Sequence, residues 1–436
     1  MYGVRTPGIK LFPAQAHIPH LPHHKPRHHS QSQGIRQTGA KRSRPATYTT
    51  PTARRAAMDH RRSRPPSAAA AGALLCLAMV VLMLSPATAS VDGCPAGGER
   101  ASKQQGMSGR RHHRKHEVKE ELWVFGDSYA DTGNLGNLGR ELTHAWYDPY
   151  GKTFPRRPAG RFSDGRVLTD FVASALGMRT PVAYKARRRA SQEALARGMN
   201  FAVGGAGVLD TGNFQRNISA QIDLFQAMHQ RRQDCRGKRT ALVVVSGNDY
   251  AYAADKDNGT SAAIAYIPTV VRELRGQLQR LRDEAGMRRV VVTNLHPMGC
   301  TPTFTRLLNY TGCDPLANAG AAQHNAALRS VLAALDPNNR TFLLLDVHTP
   351  FAAFLLDDDN NGDSDNKKFK STLRPCCESF RPDGYCGEED ENGTRQYTLC
   401  DDPGRYFYWD DVHPTQAAWT AVARTFRAAV KSFLTT

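Results

Sequence analysis

Ser128 stands in the run Phe125-Gly126-Asp127-Ser128-Tyr129-Ala130-Asp131, directly after a short apolar stretch, where a buried strand should give way to a loop. Near the other end, Asp410-Asp411-Val412-His413-Pro414 sets a carboxylate three residues before an imidazole. A serine hydroxyl is barely acidic and attacks only when a base takes its proton. A histidine serves best when a carboxylate orients it and stabilises the imidazolium that forms. The residue types therefore point to acyl transfer, with Ser128 as nucleophile, His413 as base and Asp410 as the orienting acid. Asp411 competes for the last role, and its spacing disfavours it. The tetrahedral intermediate of such a reaction needs fixed donors around a negative oxygen. Three are available: the Ser128 backbone N–H, the N–H of Gly205 in the glycine-rich run Asn200 to Gly207, and the side-chain amide of Asn248 after the apolar run that starts at Val243.

Positioning these residues requires a scaffold, and apolar strand-like runs alternate with amphipathic helical ones beyond residue 120. That alternation reads as an α/β domain around a mostly parallel sheet. Strands are expected at Leu122 to Phe125, Ala241 to Ser246, Val290 to Leu295 and Phe342 to Val347. Helices are expected at Leu168 to Leu176, Ala220 to Gln230, Ile264 to Ala285, Pro315 to Leu335 and Thr415 to Phe433. In the third of these, Val270, Leu274, Leu278 and Leu281 recur at helical spacing and should face the sheet, with Arg272, Arg275, Arg280 and Arg282 left in water. Long loops are expected at Gly139 to Arg166 and Asp357 to Asp402. In open α/β sheets ligands sit at the carboxyl ends of the strands, where Ser128 should emerge.

The N-terminal part reads differently. Ala71 to Leu84 is a run of fourteen apolar residues followed by Ser85-Pro86-Ala87-Thr88-Ala89-Ser90. It is too short to span a bilayer and has the flanks of a secretory signal cleaved after Ala89. Residues 58–89, starting at Met58, are the expected signal peptide, 90–120 a basic linker and 121–436 the hydrolase domain. Residues 1–57 are a basic leader, either an upstream extension or an organelle-targeting segment. Thirteen of the 58 Lys+Arg and one of the 40 acids precede Ser90, which accounts for +12 of the formal +18. The body is near neutral, so the charge gives no argument for nucleic acid as a partner.

Of nine cysteines, Cys76 lies in the signal. The remaining eight suit disulfides in an oxidising compartment. Cys300 and Cys313 are expected to close one loop, and Cys376, Cys377, Cys386 and Cys400 to form a cluster of open connectivity, for which a zinc site is the weaker alternative; Cys94 and Cys235 complete the set. Five N-x-[ST] sequons, at Asn217, Asn258, Asn309, Asn339 and Asn392, agree with secretion. Extracellular location, in an apoplast or cell wall, follows as the expectation, with no stable membrane anchor.

Weaker signals are outweighed by plainer readings. Asp357-Asp358-Asp359-Asn360-Asn361-Gly362 starts like a calcium loop, but Lys368 stands where a glutamate is needed, so a solvated acidic loop is expected. Lys185 to Arg189 reads as an exposed basic loop, with contact to anionic material as the alternative. His296 reads as a structural histidine that could also line the pocket. Neither G-x-S-x-G nor H-E-x-x-H occurs, which argues against an α/β-hydrolase elbow and a zincin. No cofactor and no metal are expected.

Taken together, the blocks resemble those of the plant-type GDSL esterase/lipases of the SGNH hydrolase superfamily. They are Phe125 to Ser128 with Asp131-Thr132-Gly133-Asn134, Gly160 to Arg166, Asn200 to Gly207, Gly247-Asn248-Asp249-Tyr250 and Asp410 to Pro414. The resemblance covers roughly Leu122 to Phe433. It implies a flavodoxin-like three-layer α/β/α fold, with Ser128, Gly205, Asn248 and His413 as the four name-giving residues and Asp410 completing the triad. It implies a carboxylic-ester hydrolase acting on lipid acyl or small acyl esters; alternatives are an acetylesterase on cell-wall polysaccharide, or a carbohydrate- or lipid-binding protein of the same fold with little turnover. The chain departs from the pattern at Tyr129, where the family has leucine, and at Ser246, where it usually has glycine.

Overall fold

The computed structural model describes residues 120–212, 215–229, 238–257, 259–356 and 369–435. The leader, the signal segment, nearly all of the linker, Cys94, Cys235, Asn258 and the acidic run from Asp357 to Lys368 lie outside the described residues. Six strands form one sheet: β1 (Glu120–Gly126), β2 (Val182–Ala183), β3 (Gly198–Asn200), β4 (Lys238–Val244), β5 (Arg289–Thr293) and β6 (Phe342–Leu345). Their order is β2-β3-β1-β4-β5-β6, and every pairing is parallel. Leaving aside the two-residue edge strand β2, this is the doubly wound flavodoxin-like order, in which the chain reverses direction across the sheet beside β1.

Nine helices are named among the described residues: α1 (Leu168–Ala175), α2 (Gln192–Leu195), α3 (Ile218–His229), α4 (Asn248–Lys256), α5 (Thr260–Asp283), α6 (Pro302–Thr305), α7 (Pro315–Leu335), α8 (His348–Leu355) and α9 (Gln416–Thr435). Strand side chains alternate between faces, and the two faces gather separate cores. Leu122, Val124, Leu242 and Val244 pack with α1, α8 and α9, where Trp419, Val422, Phe426 and Val430 recur at helical spacing. Trp123, Phe125, Ala241 and Val243 pack with α3, α5 and α7. Burial on both faces explains why these strands are apolar throughout.

The four expected strands and five expected helices are present with small shifts of boundary. β2 and β3 were not foreseen, because two and three residues are too short to carry a period. Arg272 and Arg275 are exposed as expected, while Arg280 and Arg282 are half-buried: Arg280 donates to Gln226 at 2.6 Å and Asp223 at 2.5 Å, and Arg282 reaches the Leu335 carbonyl at 2.8 Å. Lys185 to Arg189 is no loop but part of a 3-10 helix, Tyr184–Arg189, with the Arg187 guanidinium 3.7 Å from the centre of the Tyr184 ring.

The stretch expected as a long loop up to Asp402 holds an antiparallel pair, β7 (Cys377–Ser379) and β8 (Tyr397–Leu399). Disulfide Cys376–Cys400 joins the ends of this pair, Cys377–Cys386 ties β7 to the segment between the two strands, and Cys300–Cys313 closes the expected loop. A third apolar cluster joins these cysteines to Tyr150, Phe162 and Trp409, so the disulfide-bonded segment packs directly beside residue 410. No helix among the described residues is long and apolar enough to cross a membrane.

Candidate active site

β1 ends at Gly126 and β4 at Val244, side by side in the sheet. The turns that leave them carry Ser128 and Ser246-Gly247-Asn248, so the site lies at the carboxyl edge beside the reversal of strand order, where doubly wound sheets bind ligands. Asp127 joins the two turns. Its Oδ2 accepts the Ser246 N–H at 2.6 Å and its Oδ1 the Tyr129 N–H at 3.1 Å. Burial raises the Asp127 carboxyl to about 6 against the pull of the Ser246 and Tyr129 donors. Ser246 holds Asp127 through its side chain as well as its backbone N–H, and its φ is not in the left-handed region, so no glycine is required there. At Gly247 the reverse holds, since φ is +119° and a Cβ would lie 2.6 Å from the Met298 methyl.

His413 arrives from the far end of the chain, three residues before the first residue of α9, whose first turn is capped by the Thr415 hydroxyl accepting from the Ala418 N–H at 3.0 Å. Its Nε2 is 2.9 Å from Ser128 Oγ. Its Nδ1 is 2.8 Å from each oxygen of Asp410. A carboxylate only accepts, so the Asp410 contact places the ring proton on Nδ1 and leaves Nε2 free to accept from the serine. Ser128, Asp410 and His413 are all buried, at 6 %, 5 % and 7 % exposure.

Asp410 also accepts from the backbone N–H of Val412 (3.0 Å) and of His413 (2.8 Å) and from the Tyr150 hydroxyl (2.7 Å). Burial pushes this carboxyl up, but the charge and ring N–H of His413, the Tyr150 hydroxyl and the Val412 amide outweigh it and hold it at about 2. Because the folded value lies below that of the exposed group, the ionised form stabilises the fold above pH ~4, and the gain disappears as pH falls through about 2. The gap corresponds to about 2 kcal/mol. In urea unfolding, the stability difference between wild type and Asp410→Asn should therefore shrink as pH is lowered from 4 towards 2; a difference independent of pH would contradict the assignment. Asp411 makes none of these contacts, and its carboxyl is raised to about 7, first by burial and then by the Asp410 charge.

Tyr150 was missed in the sequence, which marks it only as one aromatic in an expected loop. Its ring is fully buried in the cluster beside the disulfides, which fixes the hydroxyl on Asp410. Tyr150→Phe removes a donor to a charged acceptor, and kcat should fall about tenfold with KM little changed. Steady-state kinetics check this; a change confined to KM would place Tyr150 in substrate binding instead.

Gly205 and Asn248 line the same cleft as Ser128 and His413. Gly205 has φ +81°. Its loop is held by Asp131, whose Oδ2 accepts the Gly204 N–H at 2.9 Å while Oδ1 takes the Gly133 and Asn134 N–H groups at 2.7 and 2.6 Å. Asn134 in turn donates to the Asn200 and Ala202 carbonyls, both at 2.8 Å. Asn248 opens α4 and spends one side-chain N–H on the Ala206 carbonyl at 2.9 Å, leaving the other. Among the described residues, the Ser128 and Gly205 backbone N–H groups show no hydrogen-bond acceptor. Asp249 secures the same loop from α4, accepting the Val208 and Leu209 N–H groups at 2.9 and 2.8 Å. The roles of Asp127, Asp131 and Asp249 lie in loop positioning, a function that leaves no spacing signature in the chain.

Tyr129, the departure from the leucine pattern, is buried. Its hydroxyl donates to the Val412 carbonyl at 2.8 Å, which ties the serine turn to the histidine segment. His296 lies 3.3 Å from that hydroxyl and lines the cleft; burial lowers its ring to about 3, so it is neutral.

Residues 122–426 match the family model described as GDSL-like Lipase/Acylhydrolase. The chain belongs to this family. As a GDSL lipase/acylhydrolase it is a carboxylic-ester hydrolase. It is similar to two GDSL esterase/lipases of Arabidopsis thaliana: one is 37 % identical, the match covering 75 % of this chain and 91 % of the relative, and the other 35 % identical, covering 72 % and 95 %. It is also similar to acetylajmalan esterase of Rauvolfia serpentina, 30 % identical, covering 70 % of this chain and 84 % of that enzyme. Among solved structures it is similar to phospholipase A1 from Streptomyces albidoflavus, with a TM-score of 0.32 and 14 % identity over 72 % of this chain and 100 % of that one. For this GDSL enzyme the three-layer fold is read from its own sheet order and its two cores.

Proposed function

We propose that this GDSL enzyme hydrolyses carboxylic esters through a covalent acyl-enzyme formed on Ser128. His413 Nε2 takes the hydroxyl proton as Oγ bonds to the ester carbonyl carbon. The carbonyl oxygen becomes an oxyanion facing the Ser128 and Gly205 N–H groups and the Asn248 amide. Collapse breaks the bond to the alkoxy oxygen, which leaves with the proton held on His413. Water repeats the sequence, gives its proton to His413, and releases the acid and the free serine. Asp410 stays ionised throughout and offsets the charge on the imidazolium, and its low value suits that role. The single observation that carries the reading is the unbroken hydrogen-bond line from Ser128 Oγ through His413 to Asp410.

An acyl-enzyme common to all substrates of one acid makes a specific prediction. With added methanol, the ratio of methyl ester to free acid should be the same from phenyl and p-nitrophenyl butanoate. Ratios that change with the leaving group would contradict the intermediate.

The chain acts, on this reading, outside the cell after removal of residues up to Ala89. The three disulfides among the described residues support it, as do the exposed sequons at Asn309, Asn339 and Asn392. Asn217 is half-buried and caps α3, its Oδ1 accepting the Ala220 N–H at 2.9 Å. N-terminal sequencing of the secreted chain should begin at Ser90.

A further inference from the structure

The cleft at Ser128, of about 240 Å³, has two unlike ends. One is lined by Leu138 and Leu142, which are 63 % and 52 % exposed and so mark the mouth. The other ends on Ala251, Met298 and Phe304, where Ala251 and Phe304 are buried and Met298 is half-buried. Behind these three residues lies a second cavity of about 30 Å³, which they also line. It is a half-open hollow among α4, α5 and α7, with Ala254, Ala263, Ile264 and Ala317 among its walls. Gly320 on α7 lines it as well, and a Cβ there would come within 3.1 Å of Ile264. The hydroxyl of Tyr250, a polar group on its wall, is already bonded to His324 at 2.6 Å. An apolar space of this kind, separated from the cleft at Ser128 by the shared residues Ala251, Met298 and Phe304, of which the methionine is flexible, favours a hydrocarbon chain over a polar group.

Taking Ser128 as the nucleophile, we infer that the substrate's acyl chain runs from Ser128 past Met298 and Phe304 into the cavity between α4, α5 and α7. The alcohol part leaves by the leucine-lined mouth. A space at the low end for small-molecule sites suits acyl chains of roughly six to ten carbons, neither acetyl groups alone nor long fatty acids. Each methylene moved from water into the channel should raise kcat/KM about fourfold.

The test is a series of p-nitrophenyl esters from acetate to palmitate. For the wild type, kcat/KM should rise to a maximum near octanoate and then fall. Ala263→Phe on α5 and Ala317→Leu on α7 fill the cavity from opposite walls. Either should lower the octanoate-to-acetate ratio of kcat/KM at least about tenfold, with circular dichroism and the thermal midpoint showing that the variant is folded. A measurement without variants runs beside it: free octanoate should inhibit acetate-ester hydrolysis competitively and at far lower concentration than free acetate. A wild-type profile that falls steadily from acetate, or equal inhibition by the two acids, would overturn the inference. So would folded filling variants with the wild-type ratio, or a shift produced by Leu142→Asp in their stead. Failure of the nucleophile reading looks different: a wild type that hydrolyses no ester in the series, taking this inference down with it.

Discussion

Ser128→Ala lowers kcat on p-nitrophenyl esters by at least about 10,000-fold, and His413→Ala does nearly the same. The reason is the shared proton path. With the imidazole gone, the hydroxyl 2.9 Å away has no acceptor of suitable basicity; with the hydroxyl gone, the imidazole has nothing to activate. Residues that work as one unit fail together, so the double variant should be hardly slower than either single one. Rates that multiply in the double variant would mean two independent contributions and would break the assignment. Ser128→Ala removes one small hydroxyl and should move the thermal midpoint little, whereas His413→Ala takes the ring donor from buried Asp410 and should lower it.

Asn248→Ala lowers kcat about 100- to 1,000-fold with a much smaller change in KM. The amide is fixed before substrate arrives, because α4 starts at Asn248 and one of its side-chain N–H groups is already held by Ala206. A donor held this way strengthens its bond only as charge develops on the oxygen, so its loss is felt in the transition state more than in binding. Asn248→Asp should be at least as damaging, since it places an acceptor and a negative charge beside the oxyanion. An Asn248→Ala enzyme with kcat within about threefold of wild type would remove this residue from the oxyanion site.

The sequence exposed the site more fully than the scaffold. Ser128, Gly205, Asn248, Asp410 and His413 each stand where a strand ends or a helix begins, and those transitions are visible as changes of period and composition. The strands β1, β4, β5 and β6 were legible because both faces are buried and their apolar runs are unbroken. β3 was not, because Gly198-Met199-Asn200 has no pattern of its own and is a strand only through its pairing with β1 and β2. Asp127, Asp131 and Asp249 stand in the family-like blocks, but their positioning roles were not legible, since their partners are mostly backbone N–H groups and nothing in a side-chain sequence records those. Tyr150 was hidden for another reason: its partner Asp410 lies 260 residues away, and a contact so distant is written only in the fold. Tyr129 and Ser246 are departures that the surroundings explain, the one by its bond to Val412 and the other by the bonds of its backbone and side chain to Asp127.

The most direct measurement is to react the folded enzyme with a fluorophosphonate and locate the adduct by peptide mass spectrometry. One phosphonyl group per chain should appear, on Ser128, and ester hydrolysis should vanish in proportion to labelling. Hydrolysis that survives full labelling of Ser128, or an adduct on another residue that alone abolishes it, would contradict the account.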